Sequence, residues 1–104
     1  MSFEIVKGDY GRGYVGKIKD VNYSDCTGKI YIWTKARVKL IDGKDCAVTF
    51  VSPDTLITYT PVENDFKTAT PDIYYGMFVF LKSGVVEHTL EFVWRVIEKE
   101  PVTV

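Results

Sequence analysis

Apolar and polar side chains alternate along most of this chain, with no stretch that keeps a helical three-to-four spacing. From Lys29 to Ile41, Ile30, Ile32, Thr34, Ala36, Val38 and Leu40 fall on one face. Tyr31, Trp33, Lys35, Arg37 and Lys39 fall on the other. A period of two over this length predicts one long strand, bent near Lys35, with a buried and a wetter side. Val85 to Glu98 alternates in the same way: His88, Leu90, Phe92, Trp94 and Val96 face inward, and Glu87, Thr89, Glu91, Val93 and Arg95 face outward. Ile73 to Lys82 is apolar on both phases. That predicts a central strand with at least part of each face covered. Shorter strands are expected at Phe3–Lys7, Arg12–Lys19, Cys46–Val51 and Leu56–Thr60.

Turn residues punctuate these segments at short intervals. Gly8-Asp9-Tyr10-Gly11 and Ser52-Pro53-Asp54 read as turns, and Asp20 to Gly28 as a loop. Asp42-Gly43 and Ser83-Gly84 read as hairpin turns, where glycine takes positive φ without a Cβ clash. Pro61 to Asp72 is the longest irregular stretch, with one helical turn expected at Glu63–Lys67. Two hairpins, two long alternating strands and one long crossing loop predict an all-β fold: an antiparallel β-sandwich of about seven strands with Greek-key connections. The 104 residues form one expected domain, 1–104, with 101–104 as a frayed tail.

Composition narrows the function classes. Aromatic residues reach 14%, which suits strands that bury large side chains between sheets. The net charge of −1, with both signs interleaved, lacks the basic excess that phosphate contacts demand, so no nucleic-acid partner is expected. The N-terminus Met-Ser-Phe-Glu-Ile has no basic and apolar leader pattern, and no run nears the roughly 18 apolar residues of a membrane span. A protein made in the cytoplasm, without membrane insertion, is the expectation. Cys26 and Cys46 then read as reduced thiols, with a disulfide between them as the alternative. An inter-sheet immunoglobulin disulfide would need its second cysteine near Tyr74, where none stands.

The order of the turn signals resembles a known pattern. Lys7-Gly8-Asp9-Tyr10-Gly11 resembles a "GD-T-G" opening, and Asp25-Cys26-Thr27-Gly28 a "D-L-T-G" turn into a strand. Asp65, followed by Pro71-Asp72-Ile73-Tyr74-Tyr75-Gly76-Met77-Phe78, resembles a "D…PG-x-YY-x-x-F" segment. Together these are similar to the immunoglobulin-like N-terminal domain of phage baseplate upper proteins (the BppU type), over nearly the whole chain. The resemblance implies an immunoglobulin-like sandwich, a virion-associated tail protein, and other tail or baseplate proteins as partners. Cys26 stands where the pattern has Leu, and Asp72 where it has Gly, so a different turn is expected before Tyr74. The Asp65–Tyr74 segment also resembles a tyrosine corner, in which a Tyr hydroxyl bonds to backbone a few residues upstream.

Candidate chemistry is sparse. His88 is the single histidine, and no serine or cysteine motif offers it a catalytic partner, so a structural role is expected. Gly8, Gly11 and Gly13 precede a strand rather than the helix a phosphate cradle needs. Asp9, Asp20, Asp25, Asp42, Asp45 and Asp54 sit in or beside turns without EF-hand spacing, and one His with two distant Cys does not suit zinc. No catalytic residue, metal or cofactor is expected. The candidate binding or interface residues are Tyr31, Trp33, Lys35 and Arg37, with Lys39 on the same predicted face. Aromatic rings beside cations suit a protein interface, or the stacking of a sugar or base. Cross-strand packing against a neighbour is the plainer role for the two rings. The expected function is a non-enzymatic structural or adaptor module that works by protein–protein assembly, including self-association. The alternative is a stand-alone module binding carbohydrate or a surface ligand.

Overall fold

The computed structural model describes residues 1–98, so the predicted frayed tail at 101–104 lies outside the described residues. Seven strands follow in order: β1 (Ser2–Val6), β2 (Tyr14–Ile18), β3 (Thr27–Trp33), β4 (Lys39–Val51), β5 (Asp54–Tyr59), β6 (Asp72–Lys82) and β7 (Val85–Ile97). No helix occurs among the described residues. At Glu63–Lys67 the expected helical turn is replaced by a tight turn in which the Asp65 amide donates to the Val62 carbonyl at 3.0 Å. The Asp65 carboxylate accepts the Val62 amide in return (3.0 Å), a side-chain bond that competes with helix formation.

All seven strands join one mixed sheet in the order β1-β7-β6-β3-β4-β5-β2. Every pairing is antiparallel except β1 with β7, which is parallel and sets Phe3 opposite Trp94. The purely antiparallel expectation is corrected there, because alternation fixes which side chains face inward but not which way a strand runs. β4 serves two neighbours. Its first part, Lys39–Cys46, pairs with β3, and its last part, Ala47–Val51, pairs with β5. The sheet curls along β4 until the inner side of β2 lies against β6 and β7. A Cβ on Gly16 of β2 would stand only 2.9 Å from Leu90 Cδ2 and 3.1 Å from the Phe78 ring. The result is nearly closed and barrel-like.

Two expectations fail together in the middle of the chain. Lys29–Ile41 is not one bent strand: β3 ends at Trp33, and a turn over 34–38 leads back into β4. The Thr34 amide donates to the Val38 carbonyl (2.9 Å), its hydroxyl oxygen accepts the Val38 amide (3.1 Å), and Arg37 takes a φ of 65°. Thr34, Ala36 and Val38 therefore do not continue the inward face. Asp42-Gly43, in turn, is no hairpin. It lies inside β4, where Ile30 pairs with Lys44 and Tyr31 with Asp42, leaving Gly43 (φ 72°) as the extra residue of a bulge. A hairpin turn and a glycine bulge demand the same positive φ, so the dipeptide alone does not separate them. Ser83-Gly84 is a hairpin as expected, with φ of 51° and 77°. Ser52-Pro53-Asp54 turns β4 into β5.

The inward phase of β7 is as predicted. Phe92, Trp94 and Val96 are buried, and His88 and Leu90 half-buried. Trp94 is ringed by Tyr14 (centroids 4.7 Å), Phe66 (5.1 Å, nearly parallel), Phe3 (5.5 Å) and Tyr59 (6.0 Å). Ile30, Ile32, Ile57, Phe78 and Phe80 complete the centre of the core. Its connections are held by buried polar groups. The Tyr74 hydroxyl donates to the Thr70 carbonyl at 2.7 Å, the bond of a tyrosine corner. Tyr59 donates to the Asp65 carboxylate at 2.5 Å, tying the crossing loop to β5. Thr55, fully buried, donates to the Val21 carbonyl (2.6 Å) and accepts the Tyr23 amide (2.9 Å), which pins the loop before β3. Asp72 opens β6 and accepts the Ile73 amide at 2.7 Å.

Gly76 is a close-approach position: a Cβ there would meet the Phe92 ring at 2.2 Å, inside the core. Gly76→Ala should therefore cost about 1–3 kcal/mol, the usual range for overpacking, with a matching fall in the urea midpoint. An unchanged midpoint would show that Phe92 moves aside freely. Alkaline titration gives a second check. Burial pushes the Cys46 thiol up to about 12, and burial followed by the Asp65 hydrogen bond raises Tyr59. Both groups keep their protons longer when folded, so the unfolded state binds fewer protons once pH passes 9, and stability falls from there upward. The urea midpoint should drop between pH 8 and pH 11, and Cys46→Ala should flatten the first part of the drop.

Candidate functional site

The outer face of β3 carries Lys29, Tyr31 and Trp33, because Ile30 and Ile32 take the inner face. Register places Tyr31 opposite Met77 and Trp33 opposite Tyr75 on β6. On the next strand, Tyr75 lies opposite Val93 and Met77 opposite Glu91. One apolar row therefore crosses three strands: Trp33, Tyr75, Val93. Tyr31 and Met77 form a shorter second row beside it. Cross-strand packing covers part of both rings of the predicted pair, and Tyr31 and Trp33 end half-buried. Tyr75 and Ile73 remain open, at 47% and 40% exposure. Farther along β6, Val79 is covered on this same face.

The turn over 34–38 decides where the predicted cations go. Its positive φ at Arg37 folds the chain back, and Arg37 joins Lys39, Tyr31, Trp33 and Met77 around an open cleft of about 350 Å³. The Lys39 ammonium lies 5.7 Å from the Tyr31 ring centroid, within cation–π range, and 3.1 Å from Asp42. Lys35 leaves the group for Asp72, at 3.3 Å. The Ile73 amide, and after it the Lys35 contact, hold the Asp72 carboxyl below its usual range. A second shallow cleft, also about 350 Å³, begins on the other side of Trp33 and Met77 and runs over Tyr75 and Val93 to Glu91 and Met1. The two share Trp33 and Met77, so the face is one continuous apolar trough with a cationic flank.

Of the predicted set, Tyr31, Trp33 and Arg37 come together with Lys39, but on two elements and a turn rather than on one strand. Tyr75, Met77 and Val93 are the partners that sequence reading missed. Their signal was present: β6 read as a strand with part of each face covered, and Val93 as one outward residue among polar ones.

The other groups of interest have structural surroundings. His88 stacks on Tyr23, with centroids 5.6 Å apart. Cys26 is buried and Cys46 half-buried, both as free thiols, and burial raises each thiol above its ordinary range. Three of the carboxylates that read as turn residues meet lysines: Asp25 with Lys82 at 2.8 Å, Asp54 of β5 with Lys17 at 3.8 Å, and Asp45 of β4 with Lys29. Gly8 and Gly11, both at positive φ, dock their amides on the carbonyls of Phe66 (3.2 Å) and Pro61 (2.9 Å).

These features define an all-β, mixed-sheet protein with one aromatic outer face. No family model matches the chain, and no curated protein matches it.

Trp33 packs on the outside of the sheet, so Trp33→Ala should cost less than about 2 kcal/mol. Trp94→Ala, which empties the core, should cost about 3–5 kcal/mol. Thermal melts of the two variants check this. A Trp33→Ala chain that does not fold would make that ring part of the fold and not of a site.

Proposed function

We propose that this chain is a non-enzymatic structural or adaptor module of a phage or prophage tail baseplate, acting through protein–protein assembly. The observation that carries the reading is the coincidence of the resemblance with the fold. Asp65 and Tyr74, both in the stretch similar to baseplate upper proteins, make two of the bonds that hold the crossing loop. The finer architecture belongs to the same proposal: an immunoglobulin-like Greek-key sandwich. It is supported by the way β4 divides the sheet, with β1, β7, β6 and β3 on one side and β5 and β2 on the other. The contact of Gly16 with Leu90 and Phe78 across the interior supports it too. An aromatic, partly open sheet face with a charged surround suits assembly, because interface energy concentrates in such rings.

A second reading has its own observation. Tyr31, Trp33, Arg37 and Lys39 around an open cleft offer stacking faces and donors to a carbohydrate. Mass spectrometry of purified tail-bearing particles separates the two. The adaptor reading expects this chain at a fixed ratio to tail proteins. Its absence from intact particles, while abundant in the soluble fraction, would overturn that reading. Saturable quenching of Trp33 fluorescence by glycans, lost in Trp33→Phe, would then favour the second.

A further inference from the structure

We propose that the trough on β3, β6 and β7 is a self-association surface, and that its partner is a second copy of this chain stacked face to face about a two-fold axis along β6. The face is self-complementary. β6 runs down its middle, with β3 on one side and β7 on the other. A two-fold axis along β6 carries the β3 side of one copy over the β7 side of the other. Tyr75 then meets Tyr75, Met77 meets Met77, and each Trp33 covers the Val93 of the other copy.

The charges choose this partner. Arg37 and Glu91 flank Met77 from opposite sides, one lining each cleft. Both are exposed, and neither belongs to an ion pair among the described residues. The same rotation lays the cleft that Arg37 lines in each copy over the cleft that Glu91 lines in the other, twice per dimer, and the long Arg37 side chain spans the offset along the strands. Two sheets stacked this way would sit about 10 Å apart, close enough for these side chains to meet. The other charges of the face, Lys29 with Asp45, Lys39 with Asp42, Lys35 with Asp72 and Arg95 with Glu4, are already paired within one chain and would form the rim. An isologous contact of this kind closes on itself and ends at the dimer. The inference does not depend on the tail reading, since it concerns what the purified chain does alone.

Sedimentation equilibrium from about 1 μM to about 1 mM tests it. The wild-type chain should pass from monomer to dimer within that range. Glu91→Arg, a change on a regular exposed strand position, sets like charges against each other at both contacts and should weaken the dimer roughly tenfold or more. Arg37→Glu should do the same. The doubly reversed chain, Arg37→Glu with Glu91→Arg, should dimerise again, because each contact recovers opposite charges. Far-UV circular dichroism and a thermal melt establish that each variant is folded. A chain that stays monomeric throughout would overturn the proposal, as would a dimer indifferent to both reversals or one that the double reversal does not restore.

Discussion

The Trp94 indole is where the sheet closes. Rings from β1, β2, β5 and the crossing loop all reach it: Phe3, Tyr14, Tyr59 and Phe66. β1 and β2 are the two ends of the strand order, yet both pack on this one side chain. Hydrogen bonds alone would leave a curled ribbon open along that seam. Burial of aromatic area draws its ends together, and Tyr14 adds a hydroxyl bond to the Glu4 carbonyl across the gap, at 3.3 Å. The indole Nε1–H is fully buried and lacks a hydrogen-bonding partner among the described residues.

Around that centre, polar bonds decide where the loops lie. Asp65, Thr55 and Tyr74 each link a connection to a strand, and each is largely enclosed by the fold. The lysine–carboxylate pairs on the surface are a different matter. Lys39–Asp42, Lys35–Asp72 and Lys82–Asp25 are solvated on both sides, where water screens the attraction and the pairs add little to stability. Their effect on the outer face is to occupy Lys35 and much of Lys39, which leaves Arg37 as its cation without an ion pair among the described residues.

Sequence patterning located β5, β6, β7 and the Ser83-Gly84 hairpin because their alternation or turn chemistry is local. It failed at 34–38, where the turn uses Thr34 hydrogen bonds and a left-handed Arg37 in place of glycine or proline. Across that turn the alternation continues by coincidence, and two strands read as one. Asp42-Gly43 then offered a hairpin where the structure needs a bulge. Half of the candidate face was legible for the same local reason: Tyr31 and Trp33 are outward by their spacing from Ile30 and Ile32. Their neighbours Tyr75 and Val93 join them only through register between strands some 40 to 60 residues apart in the chain, about which a period of two is silent.

The parallel pairing of β1 with β7 gives this molecule a mechanical direction. Both strands run the same way, so Ser2 and Ile97 lie at opposite ends of the shared ladder. A pull on Ser2 against Ile97 acts along the strands in opposite senses. It loads the whole β1–β7 ladder at once in shear, including the Lys7–Ile97 bond of 2.9 Å, instead of opening the bonds one after another. The same two strands hold Phe3 and Trp94 in register, so slippage must also drag an aromatic ring out of the core. Tension applied through these two strands is therefore shared by the whole ladder and by the core behind it.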